Sequence, residues 1–218
     1  VTGYPFDFHG FGFEARTSGA LWWPEGRWLF VADLHFGKSE RVARRGGALL
    51  PPYEGQATLQ RLAAEIGTLD PRTVVCLGDS FDDLAAVQAL DLHIARCISD
   101  LSVDRDWIWV VGNHDPAEPR GLTGRSAAEL RLGPVTLRHC AMAGQGPDIS
   151  GHFHPVVSLA GERRKAFVIG AEHLILPAFG TYTGGLICDD LAIRRLVPQG
   201  IAIACGRKAM ALPLRARA

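Results

Sequence analysis

Asp33 and His35 stand two residues apart in Ala32-Asp33-Leu34-His35, and His152 and His154 repeat that spacing in Gly151-His152-Phe153-His154. On an extended chain, residues i and i+2 face the same side, so each pair can present two ligand atoms to one ion, and Gly151 permits close backbone approach. Each motif alone has a second reading: an Asp capping the next turn beside a surface His, or two hydrogen-bonded structural histidines. Gly78-Asp79 is equally a turn dipeptide. Gly112-Asn113-His114-Asp115 says more, because an amide oxygen is a neutral hard ligand and the neighbouring imidazole can face a substrate. His139 contributes a single imidazole.

The joint occurrence outweighs the separate readings. His35, His114, His139, His152 and His154, five of the eight histidines, lie with the key carboxylates in small clusters, mostly Gly-rich, that follow apolar runs. His9, His93 and His173 fall outside these clusters and read as ordinary surface or core residues.

The elements that must position this set are legible as periodicity. Trp28 to Ala32, Thr73 to Leu77 and Trp107 to Val111 are compact apolar runs that read as buried strands, each delivering polar residues at its carboxyl end, where open α/β sheets place their sites. Glu54 to Thr68 and Leu84 to Ile98 carry apolar residues at helical spacing and read as crossover helices, the first after Pro51 and Pro52. Beyond about Ala128 the pattern shifts to short strands between Gly, Pro and Asp turns. These are Ala128 to Leu132, Val135 to His139, Ala166 to Ile169, His173 to Leu176, Gly185 to Cys188 and Ile193 to Val197. No repeat, low-complexity segment or linker interrupts the chain, so residues 1–218 read as one domain.

Composition narrows the function classes. A chain of 218 residues with 47% hydrophobic and 21% charged residues has the makings of a sizeable core. The formal net charge is zero, so nucleic-acid binding would rest on local patches rather than an overall basic field. Three patches qualify: Lys38 with Arg41, Arg44 and Arg45; Arg163, Arg164 and Lys165; and the tail with Arg207, Lys208, Arg215 and Arg217. The last two read more simply as solvated faces, whereas the first follows a site motif, which makes Lys38, Arg41 and Arg45 the candidates for holding substrate phosphates. Five dispersed cysteines without a Cys-x-x-Cys pair argue against a disulfide framework and a thiolate zinc site, and fit a reducing cytoplasm. No basic leader with an apolar core and no membrane-length run occurs, so a soluble, unexported protein without a membrane partner is expected.

The ordered set Asp-x-His, Gly-Asp, Gly-Asn-His-Asp, His and Gly-His-x-His resembles the calcineurin-like metallophosphoesterase superfamily. Ala32-Asp33-Leu34-His35-Phe36-Gly37-Lys38, Gly78-Asp79-Ser80-Phe81, Gly112-Asn113-His114-Asp115-Pro116, Ser150-Gly151-His152-Phe153-His154-Pro155 and Leu176 to Gly185 are similar to its bacterial DNA ligase-associated branch. The resemblance implies an α/β fold of two packed mixed β-sheets flanked by helices, in four layers. It also implies two divalent metal ions, with Asp33, His35 and His154 on one, Asn113, His139 and His152 on the other, and Asp79 as the bridge. One position departs from the branch: a His often stands where this chain has Asp82, which is therefore given no role.

The charge balance agrees with this assignment. Two divalent ions facing two carboxylates leave roughly double positive charge, suited to an anionic phosphoester. Imidazole, carboxylate and amide ligation suits manganese, iron, zinc or cobalt, of which manganese is favoured here. His114 is expected to serve the leaving oxygen, with Asp115 as the candidate orienter, and Tyr182 and Phe179 either stack on a base or pack on the core. The leading expectation is a nuclease or phosphodiesterase of DNA repair or end processing, with DNA as substrate and DNA ligase and associated repair proteins as partners. A small-molecule phosphodiesterase or phosphomonoesterase is the alternative, and a non-catalytic repair scaffold a third, against which the intact ligand set counts.

Overall fold

In a computed structural model, described over residues 3–44, 46, 53–83, 90–114 and 121–215, two β-sheets pack face to face. The first runs in sequence order: β1 (Gly3–Phe8), β2 (Phe11–Arg16), β3 (Leu21–Trp23), β4 (Trp28–Val31), β5 (Thr73–Leu77), β6 (Asp106–Val110) and β7 (Arg125–Ala127). Its first four strands are antiparallel and the pairs from β4 to β7 are parallel. Parallel neighbours need crossovers, which helices α1 (Lys38–Arg44) and α2 (Glu54–Leu69) supply between β4 and β5, and α3 (Leu92–Ser102) between β5 and β6.

The second sheet is assembled from β8 (Leu130–Leu132), β9 (Val135–Leu137), β10 (Asp148–Ser150), β11 (Val156–Leu159), β12 (Glu162–Ile169), β13 (His173–Ile175), β14 (Gly200–Ala204) and β15 (Met210–Leu214). Its order is β15-β14-β12-β13-β10-β9-β8, with β11 paired to β12. Helix α4 (Leu191–Leu196) covers its outer face, where Ile193 and Val197 pack with Ala166, Val168, Ala202 and Ala204.

The period-2 alternation of strands builds these layers directly. In β4, β5 and β6, residues Phe30, Val75, Leu77, Ile108 and Val110 point between the sheets toward Leu137, Ile149, Phe167 and Leu174. Their neighbours Leu29, Val31, Val74, Cys76, Trp107 and Trp109 point the other way, onto Leu59, Leu62 and Ile66 of α2 and Ile98 of α3. Burial of each such side chain is worth roughly 1.5–3 kcal/mol, so both faces of the parallel strands are fixed.

Several elements differ from the sequence reading. Ile193 to Val197, read as a strand, belongs instead to helix α4, because the Asp190 carboxylate accepts the Ala192 N–H at 2.8 Å and starts a turn there. Gly185 to Cys188 forms only an isolated bridge between Ile187 and Val156. The expected Ala128 to Leu132 strand straddles a crossing between sheets, with β7 ending before it and β8 covering its second half. The helix expected over Leu84 to Ile98 lies partly outside the described residues; its second half is α3, where Asp91 accepts the His93 and Ile94 N–H groups.

Candidate metal centre

The site sits where the parallel strands end. The ladder between β4 and β5 continues past both strands, through Asp33 N–H to Gly78 O at 3.2 Å, His35 N–H to Asp79 O at 3.0 Å and Phe36 N–H to Ser80 O at 2.9 Å. Asp33-Leu34-His35 and Gly78-Asp79 are thus held in register by backbone hydrogen bonds. Asp33, His35, Asp79, His152 and His154 all take the left-handed backbone, with φ of 53°, 50°, 45°, 69° and 47°. Few non-glycine residues adopt this conformation, and its clustering marks a site where the surrounding structure imposes local strain.

Two glycines let these loops touch. A Cβ on Gly151 would lie 2.4 Å from Asp33 Oδ2, and one on Gly78, whose φ is +74°, would lie 2.4 Å from His139 Nδ1. Gly151 thus lets its loop approach the Asp33 carboxylate closely.

Two groups of ligand atoms result: Asp33, His35 and His154, and Asp79, His139 and His152. In the first, His154 Nε2 is 3.2 Å from Asp33 Oδ1 and 3.4 Å from His35 Nε2. In the second, His139 Nε2 is 3.3 Å from Asp79 Oδ2, 3.1 Å from His152 Nδ1 and 2.8 Å from Asn113 Oδ1. The groups adjoin, with His139 Nδ1 3.8 Å from Asp33 Oδ1. All seven residues that the sequence singled out as ligands thus come together, including Asn113.

The arrangement fits a divalent cation in each group. Imidazole nitrogens that face one another at such distances leave lone pairs converging on a common point, which a cation between them satisfies. The outward nitrogens are held as metal-binding histidines require: His139 Nδ1 donates to Leu77 O at 3.1 Å, and His35 Nδ1 donates to Asp82 Oδ1 at 2.8 Å, leaving each Nε2 free to ligate. With no thiolate, the donor set suits borderline and hard cations.

Electrostatics make the same point. Burial would raise the Asp79 carboxyl, yet its hydrogen bond to His139 and the charges of His139 and His114 bring it down to about 2. Burial would lower the His139 imidazolium, yet Asp79 and Asp33 push it up to about 9. The carboxylates thus hold a positive charge at the place where an ion would sit. His152, desolvated and beside His139, is lowered.

Asp82, assigned no role from its motif, is fully buried and central. Its carboxylate accepts from His35 Nδ1 and Arg41 Nε, and its backbone oxygen accepts from His114 Nδ1 at 3.0 Å. Burial opposes its ionisation, but His35, Arg41 and Lys38 bring its carboxyl below the usual range. The only sequence signal was a second acidic residue three positions after Asp79.

His114 belongs to neither ligand group. Its backbone N–H donates to Asp79 Oδ1 at 2.8 Å, and its Nε2 stands 3.9 Å from Asp79 Oδ2. Since a carbonyl only accepts, His114 Nδ1 carries a hydrogen toward Asp82 O, and Nε2 remains for other contacts.

The expected phosphate-holding residues fare differently. Arg41 is committed to buried Asp82 and Arg44 to Asp83, whereas Lys38 opens α1 beside the site. Arg45 and Asp115 lie outside the described residues. Phe179 is fully buried in the core, and Tyr182 is exposed. His173 is buried against Asp148 at 3.0 Å.

The crystal structure of Pseudomonas putida nuclease MPE superposes with a TM-score of 0.75 at 27% identity, covering 96% of this chain and 100% of that one. Yfce, a phosphoesterase from E. coli, gives a TM-score of 0.43 at 16% identity over 73% of this chain and 83% of its own. No curated protein matches significantly. Residues 26–166, which carry every ligand-type residue described above, match the family model of the calcineurin-like phosphoesterases, and the chain belongs to that family.

Proposed function

We propose that this phosphoesterase cleaves the phosphodiester backbone of DNA, as a nuclease of repair or end processing, with two divalent cations in the paired His/Asp groups. The observation that carries the reading is the pair of adjoining ligand groups on a chain similar over nearly its whole length to a protein described as a nuclease. Asp33, His35 and His154 would hold one ion and Asn113, His139 and His152 the other, with Asp79 shared and manganese as the preferred metal. When bound, such ions supply Lewis acidity toward phosphoryl oxygens and make water nucleophilic at neutral pH.

The chain's own residues do the rest. Asp82 fixes the His35 ring through its carboxylate and the His114 ring through its carbonyl, so one residue orients both imidazoles. His114, with Nδ1–H committed, presents Nε2 to the leaving oxygen; as the imidazolium it donates a proton there, and Asp115 is the candidate to assist it. Association with DNA ligase and related repair proteins is proposed on the motif resemblance alone.

A small-molecule phosphoesterase is the competing reading, favoured by the engagement of Arg41 with Asp82, which withdraws a cation from any polymeric substrate. Turnover of the manganese-loaded protein on single-stranded DNA, duplex DNA, cyclic nucleotides and an aryl phosphomonoester, measured in parallel, separates the two. Cleavage confined to the monoester or cyclic nucleotides would overturn the nuclease reading.

A further inference from the structure

Two basic runs that are far apart in sequence meet in space. Arg164 and Lys165 of β12, and Arg207 and Lys208 of the β14–β15 turn, line one open groove of about 620 Å³, opposite Thr17 and Ser18 of the β2–β3 turn. The groove lies where the two sheets meet, at the end that carries the metal ligands. Ala204 pairs with both Ala166 and Met210, so the turn between them projects beyond the sheet at the level of Lys165. On the same end, Gly180 N–H donates to Asp33 O at 3.0 Å, and Lys165 Nζ donates to Gly180 O at 2.6 Å. A single residue, Gly180, therefore joins the wall of the groove to a metal-ligand loop.

The charge of the groove is not that of an ordinary solvated face. Among the described residues, its four cations confront one lining carboxylate, Glu162, which pairs with Arg164 at 3.1 Å. Arg207 and Lys208 are exposed and make no ion pair among the described residues. Lys165 is turned inward onto the backbone oxygens of Phe179 and Gly180, and Arg61 donates to the same Phe179 oxygen. Two cations thus converge on one backbone oxygen, with no carboxylate paired to either among the described residues. Burial first, and Arg61 second, lower the Lys165 ammonium to about 8, so positive charge is stored there against its own electrostatic cost. The Thr17 and Ser18 hydroxyls add donors of the kind that phosphate oxygens accept.

We infer that this groove is a backbone-binding subsite: it takes the phosphates of a nucleic-acid strand that flank the scissile bond, leading the strand from the metal centre past Gly180 and over the β14–β15 turn. The inference rests on the nuclease reading and adds to it the path of the strand. Cations linked to a ligand loop through Gly180 would let a chain of zero net charge hold a polyanion without an overall basic field.

The test uses the full, metal-loaded chain and the exposed double variant Arg207→Ala/Lys208→Ala. Binding of a hydrolysis-resistant phosphorothioate oligodeoxythymidylate is followed by anisotropy across salt, and kcat/KM is measured on a dinucleotide and on a long oligodeoxythymidylate. The variant is expected to bind the oligonucleotide about tenfold more weakly at low salt, with a salt slope flattened by roughly one unit or more. Its loss in kcat/KM is expected to grow with substrate length. Equal salt slopes in the two proteins, or an equal kcat/KM loss on both lengths, would overturn the groove as the strand's path while leaving the nuclease reading intact. A wild-type protein that neither binds nor cuts the oligonucleotide, yet hydrolyses an aryl ester, would overturn both.

Discussion

At the scale of single residues, the site divides into groups that face the ions and groups that hold those groups still. His114 is outside both ligand sets, so His114→Ala is expected to keep full metal content while turnover on ordinary diesters drops by roughly two to four orders of magnitude. The loss is expected to shrink on an aryl ester, whose oxygen leaves well without a proton; equal losses on the two substrates would make its role positioning. Asp82→Asn keeps the size of the side chain but removes the charge that orients His35 and anchors Arg41. It is expected to weaken metal binding by roughly 10–100-fold in chelator competition with the fold retained by circular dichroism, and unchanged occupancy would deny Asp82 that part. The ligands were legible in sequence because their types and two-residue spacings are themselves the chemistry. Asp82 was not legible, since a buried carboxylate bonded to residues 41 and 47 positions away leaves no local pattern. The same holds for Arg41, which sequence position alone offers as a surface cation.

At the scale of elements, the turns after the strands are as constrained as the ligands they carry. Gly151→Ala would place a methyl group against Asp33 Oδ2 and the Ala32 side chain, and is expected to cost about 1–3 kcal/mol in denaturant unfolding along with the metal of that group. A stable variant with both metals bound would mean that the Asp33 loop yields. Lys165 tests the groove wall through pH. Its folded value of about 8 lies below its ordinary 10.5, so below pH 8 the wild type carries the full penalty of a buried ammonium. As pH rises from 8 toward 10.5 the unfolded chain keeps the proton longer, and stability is expected to rise relative to Lys165→Met by up to about 3 kcal/mol. Parallel pH profiles for the two proteins would show that Lys165 is solvated. The parallel strands were readable because both their faces are buried, giving continuous apolar runs. Strands β1 and β2 alternate Phe6, Phe8, Phe11 and Phe13 with polar residues, a weaker signal. The first half of β12, Glu162–Lys165, is charged and pairs only with β11, so nothing apolar announces it. Helix α4 is a six-residue segment, Leu191–Leu196, broken by Arg194 and Arg195 and too short for periodicity to choose between helix and strand; the Asp190 cap decides it.

At the scale of the whole molecule, bound metals are expected to stabilise the fold, because candidate ligand groups from both sheets meet in one site. Cations bound at a hundred times their dissociation constant would add roughly 2.7 kcal/mol per site, so chelation is expected to lower the melting temperature by about 5–10 °C per ion. A melting temperature indifferent to chelator would mean that the ions contribute little to holding the two sheets together. No helix among the described residues is long and apolar enough to cross a membrane. The continuation of the β4–β5 ladder past Val31 and Leu77 has one more consequence. It makes the sheet a ruler: Asp33 and Asp79 stand just past the ends of neighbouring parallel strands, whose separation of about 4.8 Å is set by backbone hydrogen bonds and not by side chains. Drift in the sequence therefore cannot widen or narrow the reactive centre without tearing a ladder. Divergence toward new substrates is left to the parts that the ruler does not measure, the turns at 17–19 and 205–209, whose length and charge can change while the gauge of the catalytic centre stays constant.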